Sequence, residues 1–437
     1  MLYRFLKLLV GLGIRFYYKE VRVKNKVNLK TEGPLIIIAN HPNTLMDAMM
    51  LGHVCQQPIH YMAKATLFDS KFKMWLLRSL NMIPINRIGE GRIKGVSNQD
   101  SFLACYEMLE KGKTLVVFPE GTSFQERHLR QLKSGTARIA LETERRNNNT
   151  LGLTVLPIGL NYSQAEKFRS SVLVHVGQAI SVKDFAKDFK ENSSNGAKKL
   201  TEQFRIRLEQ VLVNSESKDE EELVDRIARI IESRYTKEGL ENVEDEMSFL
   251  KKIRDRLDDY KVTEAWKLEE IQLLVEKIEW EIQKWDIRTD FLDRRFRSRM
   301  FFRQVLFSII FLLIGLPLFV FGIFHNIIQY KLTDLIIPKL TKDIEYYAPM
   351  AVLLGLILYP LTYYGFIELV NIFYPLTFWK WIIYLVLMPL SGLFAYFFYR
   401  YLNHIGYKWK YIFLMIRQKE VMLSLKDKRE KLKEFFY

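Results

Sequence analysis

From about residue 27 to residue 213 the chain alternates short apolar runs with amphipathic stretches. PLIIIAN, MIPIN, TLVVFPEG, LTVLPIGLNY and SVLVHVG read as short strands. Between them DAMMLGHV, KFKMWLLRSL, DSFLACYEMLEKG and LKSGTARIALETE carry apolar residues at helical spacing. Strands alternating with helices predict an α/β domain. Beyond it, over residues 214–300, the pattern becomes that of charged amphipathic helices such as EEELVDRIARIIESRY and TEAWKLEEIQLLVEKIEWEIQKW. No heptad is sustained there, so a helical hairpin or short bundle is expected.

The pattern changes again over residues 301–402. VLFSIIFLLIGLPLFVFGIF, APMAVLLGLILYPLTYYGFI and FWKWIIYLVLMPLSGLFAYFFY are each long and apolar enough to span a bilayer. The basic run RRFRSRMFFR before the first, and the basic tail 403–437 after the third, both favour the cytoplasmic side. That requires an even number of crossings, against three candidates. A re-entrant segment, a contribution from residues 326–340, or an external tail would each resolve the parity, so two to four spans are expected. The N-terminal stretch 1–26 is apolar but interrupted by Arg4, Lys7 and Arg15, and it lacks a small-residue cleavage site. It reads as an amphipathic helix lying on an anionic leaflet, the plainer alternative being a helix packed on the α/β domain.

Composition sharpens this. The formal net charge of +15 points to an anionic partner. Nucleic acid is not expected, because no zinc-ligand spacing, RNP-like signature or convincing helix-turn-helix is found. Aromatic residues make up 14% of the chain and crowd into its last third, which suits membrane lipid. Two cysteines and seven scattered histidines make a metal site unexpected, and Cys55 and Cys105 read as buried thiols in a reducing compartment.

The candidate chemistry lies where strands end. The run LIIIA stops at Asn40-His41-Pro42, and the carboxylate of Asp47 follows. On an unbroken helix a separation of six puts two side chains about 120° apart. A turn through Pro42-Asn43-Thr44 into a helix near Leu45 lets Asp47 point back at His41, giving a general base with its orienting group. A polar loop whose His caps a helix is the alternative. A second strand delivers Glu120, Gly121 and Thr122 to a sheet edge, followed by Arg127, Arg130 and Lys133, which suit a hydroxyl and a phosphate. Arg87 after MIPIN, and Lys64 after HYMA, are further phosphate candidates. VLPIG, at residues 155–159, reads as the apolar floor of a pocket.

In this order, NHP…D, strand-Arg, FPEGT and VLPIG, the chain resembles the glycerolipid acyltransferase family, which includes the glycerol-3-phosphate and lysophosphatidate acyltransferases. The resemblance covers about residues 30–215. It implies an α/β acyltransferase domain over 27–213, a mixed central sheet flanked by helices, followed by the helical region and a multi-pass membrane domain. It implies that His41 is the base oriented by Asp47, and that the acceptor hydroxyl attacks an acyl thioester directly. Arg87, with Lys64 and Lys133, would hold the acceptor phosphate, while Asn40, Glu120, Gly121 and Thr122 would position the acceptor. Acyl-CoA or acyl carrier protein would be the donor, with no cofactor. The expected acceptor is 1-acylglycerol 3-phosphate, with glycerol 3-phosphate or dihydroxyacetone phosphate as the alternative and a non-catalytic lipid-binding scaffold as the rival. Five residues, Pro42 to Met46, separate His41 from Asp47, where the common family pattern has four. That is similar to the subgroup containing the yeast-type glycerol-3-phosphate and dihydroxyacetone-phosphate acyltransferases. Ser123 has no G-x-S-x-G elbow, which disfavours a serine hydrolase. The expected location is an inner or cytoplasmic membrane, with the catalytic domain on the cytoplasmic face.

Overall fold

The computed structural model describes residues 2–31, 33–86, 97–232, 243–292 and 298–437. It divides into two units. The first takes in residues 1–221 with short segments at 242–247 and 343–352, and the second takes in the remainder.

The first unit is built on one mixed sheet. Its strands are β1 (Glu20–Lys24), β2 (Leu35–Ala39), β3 (Ile59–Lys64), β4 (Met82–Ile85), β5 (Thr114–Val117), β6 (Thr154–Tyr162), β7 (Ser171–Val176) and β8 (Ile180–Ser181). They are ordered β1-β7-β6-β2-β5-β3-β4, with β8 also on β6. β6, β2, β5, β3 and β4 run parallel, and β7 is antiparallel to β6. β2 is central, and its five side chains, LIIIA, are all buried; a strand covered on both faces needs such an unbroken apolar run. All five strand runs and all four helical runs read from the sequence form, together with β1, β3 and β8. The sheet takes β1 from within the 1–26 segment, directly after the N-terminal helix.

The flanking helices are α1 (Leu2–Tyr17), α2 (Leu45–Val54), α3 (Lys71–Ser79), α4 (Asn98–Glu110), α5 (Gly135–Arg146), α6 (Ala186–Glu191) and α7 (Ser193–Val211). Leu109, Ala140, Leu200, Phe204 and Leu208 from α4, α5 and α7 pack with Ile36, Leu115 and Val155 of the sheet in one core. Pro157 lies in the middle of β6, where a missing N–H would ordinarily break a ladder. It falls where the antiparallel partner of β6 changes, from β8 at Val155 to β7 at Ile158, so its missing donor leaves no gap.

In the second unit the charged helices are α8 (Lys218–Ile231) and α9 (Val243–Thr263), whose first residues belong to the first unit, and α10 (Ala265–Trp285) and α14 (Lys419–Glu434). Arg429 of α14 is 1% exposed and donates to the carbonyls of Ile230 (2.6 Å) and Ile231 (2.7 Å). It thereby caps the C-terminus of α8, where orphan carbonyls and the helix dipole both favour a cation.

Three helices are long and apolar enough to cross a membrane: α11 (Ser298–Leu340), α12 (Tyr347–Phe373) and α13 (Phe378–Arg417). α11 is a single helix of 43 residues, so the stretch 326–340 extends the first candidate span instead of forming a segment of its own. α13 likewise continues to Arg417, past the expected end near 402. Polar side chains join them: the Tyr384 hydroxyl meets His325 Nε2 at 2.6 Å, Gln329 donates to Thr362 Oγ1 at 2.6 Å, and Tyr363 donates to Asn326 Oδ1 at 2.5 Å. α11 and α13 approach so closely that a Cβ on Gly322 would fall 2.2 Å from the Ser391 carbonyl oxygen.

Cys55 and Cys105 are buried and unpaired, and burial pushes their thiols up to about 11 and about 12. In the folded protein neither thiol should react with Ellman's reagent at pH 8, and both should react once guanidinium is added.

Candidate active site

β2 pairs through Ile38 with Val117 of β5, and through Ala39 with Ile158 of β6. The segments that follow β2 and β5 therefore leave the sheet side by side, at the carboxyl ends of parallel strands, where open α/β sheets bind ligands. Asn40 is held on β6: its Nδ2 donates to the Leu160 carbonyl (3.0 Å) and its Oδ1 accepts from the Leu160 N–H (2.8 Å). Both polar ends of this amide are thus used to extend the sheet by one rung.

His41 comes next. Its ring lies face to face on Phe118, with centroids 3.9 Å apart and planes 8° from parallel. Its Nδ1 donates to Asp47 Oδ2 at 2.9 Å, which leaves the lone pair on Nε2. The side chain is 14% exposed, and Nε2 has no hydrogen-bond partner among the described residues. Asp47 lies in the first turn of α2 and is fully buried. Its Oδ2 also accepts from the Asn43 N–H (2.7 Å), and its Oδ1 accepts from the Tyr162 hydroxyl (2.8 Å). Three donors therefore converge on one buried carboxylate, the condition under which a charge is tolerated in an apolar interior. Burial raises the Tyr162 phenol well above its ordinary value, with the Asp47 charge adding to the effect, so Tyr162 remains a donor.

The turn between His41 and Asp47 carries a strained residue. Thr44 has φ 41° and ψ −120°, a conformation unusual for a β-branched side chain. It is held from two sides: its N–H donates to Ser123 Oγ (2.9 Å), and its hydroxyl donates to the carbonyl of Glu345 (3.0 Å) in the 343–352 segment of the same unit.

The FPEGT turn supports this loop. Glu120 Oε1 accepts from the His41 N–H (3.0 Å) and Oε2 from the Arg130 N–H (3.2 Å), while the Phe124 N–H donates to the His41 carbonyl (3.2 Å). Burial pushes the Glu120 carboxyl above the usual carboxylate range, and the two N–H groups oppose that shift. Its carboxylate thus clamps the loops that bear His41 and Arg130. Gly121 takes φ +79°, and a Cβ there would fall 2.5 Å from Lys133 Nζ; glycine lets that lysine lie across the turn. The Lys133 N–H donates to the Pro119 carbonyl (2.8 Å), and its side chain is exposed beside the turn. Thr122 is exposed.

Lys64 ends β3 opposite Ile85 of β4, at the same edge of the sheet as His41. Arg87 lies outside the described residues. Arg130 stacks on Phe124 and pairs with Glu126 (2.9 Å), and Arg127 faces Glu221 at 4.0 Å. Both arginines are thus engaged with carboxylates. Sequence reasoning missed Phe118 and Tyr162, and weighed Ser123 only as a nucleophile and not as the acceptor for the Thr44 N–H. Phe118 and Tyr162 read as ordinary strand residues, and Tyr162 lies 115 positions from the carboxylate it serves.

A His–Asp pair with an outward Nε2 can take a proton from an alcohol held against it. The family model described as Acyltransferase matches residues 20–161. The chain is 25% identical over 155 residues to the chloroplastic 1-acyl-sn-glycerol-3-phosphate acyltransferase LPAT1 of Arabidopsis thaliana, which covers 35% of this chain and 39% of that one. It is 31% identical over 121 residues to the 1-acyl-sn-glycerol-3-phosphate acyltransferase of Bacillus subtilis, covering 28% and 56%. The crystal structure of the 1-acyl-sn-glycerophosphate acyltransferase PlsC of Thermotoga maritima superposes with a TM-score of 0.32 at 21% identity, over 46% of this chain and 80% of that one. The chain therefore spans only part of the length of the curated relatives it matches.

Three substitutions test the arrangement. Tyr162→Phe removes one donor from buried Asp47, which costs about 1.5–3 kcal/mol for a bond to a charged group. A lowered unfolding midpoint is expected, together with a lower turnover number at nearly unchanged KM. Thr44→Val keeps the shape and loses only the hydroxyl bond, so a smaller stability loss of about 1 kcal/mol is expected. Glu345→Ala, whose contact is through the main chain, should leave both quantities unchanged.

Proposed function

We propose that this chain, whose residues 20–161 match the family model described as Acyltransferase, is a membrane-bound O-acyltransferase that converts 1-acylglycerol 3-phosphate to phosphatidate. The observation that carries the reading is the buried Asp47, which holds His41 with Nε2 outward at the carboxyl edge of the sheet. The acceptor hydroxyl gives its proton to Nε2 as its oxygen attacks the carbonyl of an acyl thioester. The new C–O ester bond forms, the C–S bond breaks, and the imidazolium returns the proton to the departing thiolate. Asp47 stabilises that imidazolium without becoming protonated. Ser123 takes no covalent part in this scheme, because its oxygen holds the Thr44 N–H.

The acceptor phosphate meets Lys133, which lies across Gly121, together with Lys64 and Arg87. Ammonium groups at the carboxyl edge of a sheet suit a phosphomonoester, and Arg87, outside the described residues, would add a guanidinium. The donor is acyl-CoA or acyl carrier protein, both polyanionic, which accords with the net charge of +15. Three helices of spanning length hold the enzyme in an inner or cytoplasmic membrane as a multi-pass protein, with the catalytic unit on the cytoplasmic face beside lipid-borne substrates. α1 turns Phe5, Leu8, Leu12 and Phe16 outward, as a helix lying on a leaflet does. The five-residue spacer favours glycerol 3-phosphate or dihydroxyacetone phosphate as the second reading.

The test is acyl transfer by the purified protein in lipid vesicles, with labelled acyl-CoA or acyl carrier protein offered against 1-acylglycerol 3-phosphate and glycerol 3-phosphate. His41→Ala should lower kcat/KM by on the order of 10²–10⁴ while the protein still folds. Conversion of glycerol 3-phosphate alone would establish the second reading. No transfer to either acceptor, with wild type and variant alike, would point to a lipid-binding scaffold.

A further inference from the structure

We infer that α3 is a second membrane-contact element, which lays the β3–β4 edge of the catalytic sheet on an anionic bilayer surface. α3 is an amphipathic helix that buries none of its residues. Phe72 is 67% and Trp75 60% exposed, and Leu67, in the turn just before the helix, is half-exposed. The adjoining strand β4 is only half-buried along its whole length. Among the described residues this helix finds no partner to cover its largest apolar side chains.

The charges identify that partner. Lys71, Lys73 and Arg78 are exposed on the same helix, and the nearby acid, Asp69, pairs with Lys73 at 2.8 Å. Cations beside aromatic side chains are the composition of a helix lying at the headgroup level of an anionic leaflet, and tryptophan favours that depth. α1 is fastened to the same part of the sheet. Near its start, Tyr3 accepts from the Ile59 N–H (3.3 Å), and just past the end of α3 the Asn81 carbonyl accepts from the Tyr61 N–H (3.0 Å). Two helices with outward apolar faces are therefore fastened to one short stretch of β3, so a single lipid surface can meet both. β3 ends at Lys64 on the catalytic edge, and the contact would bring that edge to the lipid from which an acyl chain or lysolipid arrives.

The inference rests on the reading of the chain as a membrane enzyme, but its test does not need activity. The full chain is reconstituted in vesicles of phosphatidylcholine and phosphatidylglycerol. Phe72→Cys is labelled with an NBD maleimide, since Cys55 and Cys105 are buried, and Lys187→Cys on exposed α6 serves as reference. The label at 72 is expected to be quenched by lipid carrying a spin label on its acyl chain and to lose quenching by aqueous iodide. The label at 187 should show the reverse. Lys71→Glu with Lys73→Glu should weaken the lipid quenching in anionic vesicles. A label at 72 that behaves like the one at 187, or that is shielded from both quenchers, overturns the inference. Phe72→Ser with Trp75→Ser should slow transfer to a long-chain acceptor in vesicles and spare a short-chain soluble one. Failure of both acceptors in the wild type would count against the transferase reading, not against the contact.

Discussion

A carboxylate buried without exposure is tolerated only when its oxygens are fully matched by donors, and Asp47 imposes that condition on the first unit. Its three donors come from different places: the imidazole that ends the β2 strand, the main chain of the following turn, and the hydroxyl at the end of β6. The turn can supply its share only in a contorted form, and Thr44 accepts the contortion because Ser123 and Glu345 hold it. Glu120 fixes the other side of His41 through the main chain, and Phe118 fixes the plane of the ring. Strand order, turn geometry and aromatic stacking thus serve one requirement: an imidazole held at one angle.

In the second unit the constraint is inverted. The three apolar helices gain little from hydrophobic contact if lipid is the alternative neighbour, so close approach and hydrogen bonding must hold them. Gly322 against Ser391 supplies the approach, and the tyrosine, histidine, asparagine and glutamine contacts supply the bonds. The prolines within these helices, Pro317, Pro338, Pro360 and Pro389, lie inside continuous helical segments.

Periodicity made the sheet and its helices legible, because each element obeys its own local pattern. LIIIA can only be a strand covered on both sides, and FPEG can only follow one. The pairing of His41 with Asp47 was also legible, since one short turn joins them. The rest depended on register. That Asn40 would join β6, that Tyr162 would reach Asp47, and that Glu120 would hold two main-chain loops all follow from which strands become neighbours. No local pattern encodes that. Glu120 shows the limit most directly: a carboxylate after a strand reads as a ligand for substrate, whereas its oxygens face the N–H groups of His41 and Arg130. The length of α11 was missed for another reason, because the polar residues near 326–340 look like the end of a span and lie within a helix that continues.

The arginine that closes α8 has a consequence for biosynthesis. Arg429 and the Ile230 carbonyl are separated by 199 positions, and all three apolar helices are made between them. A ribosome releases α8 long before the residue that caps it exists, so the last turn of that helix waits, uncapped, while the intervening segments are made. The charged helices can close around α14 only after the three apolar helices are complete, which makes their assembly a late step of biosynthesis.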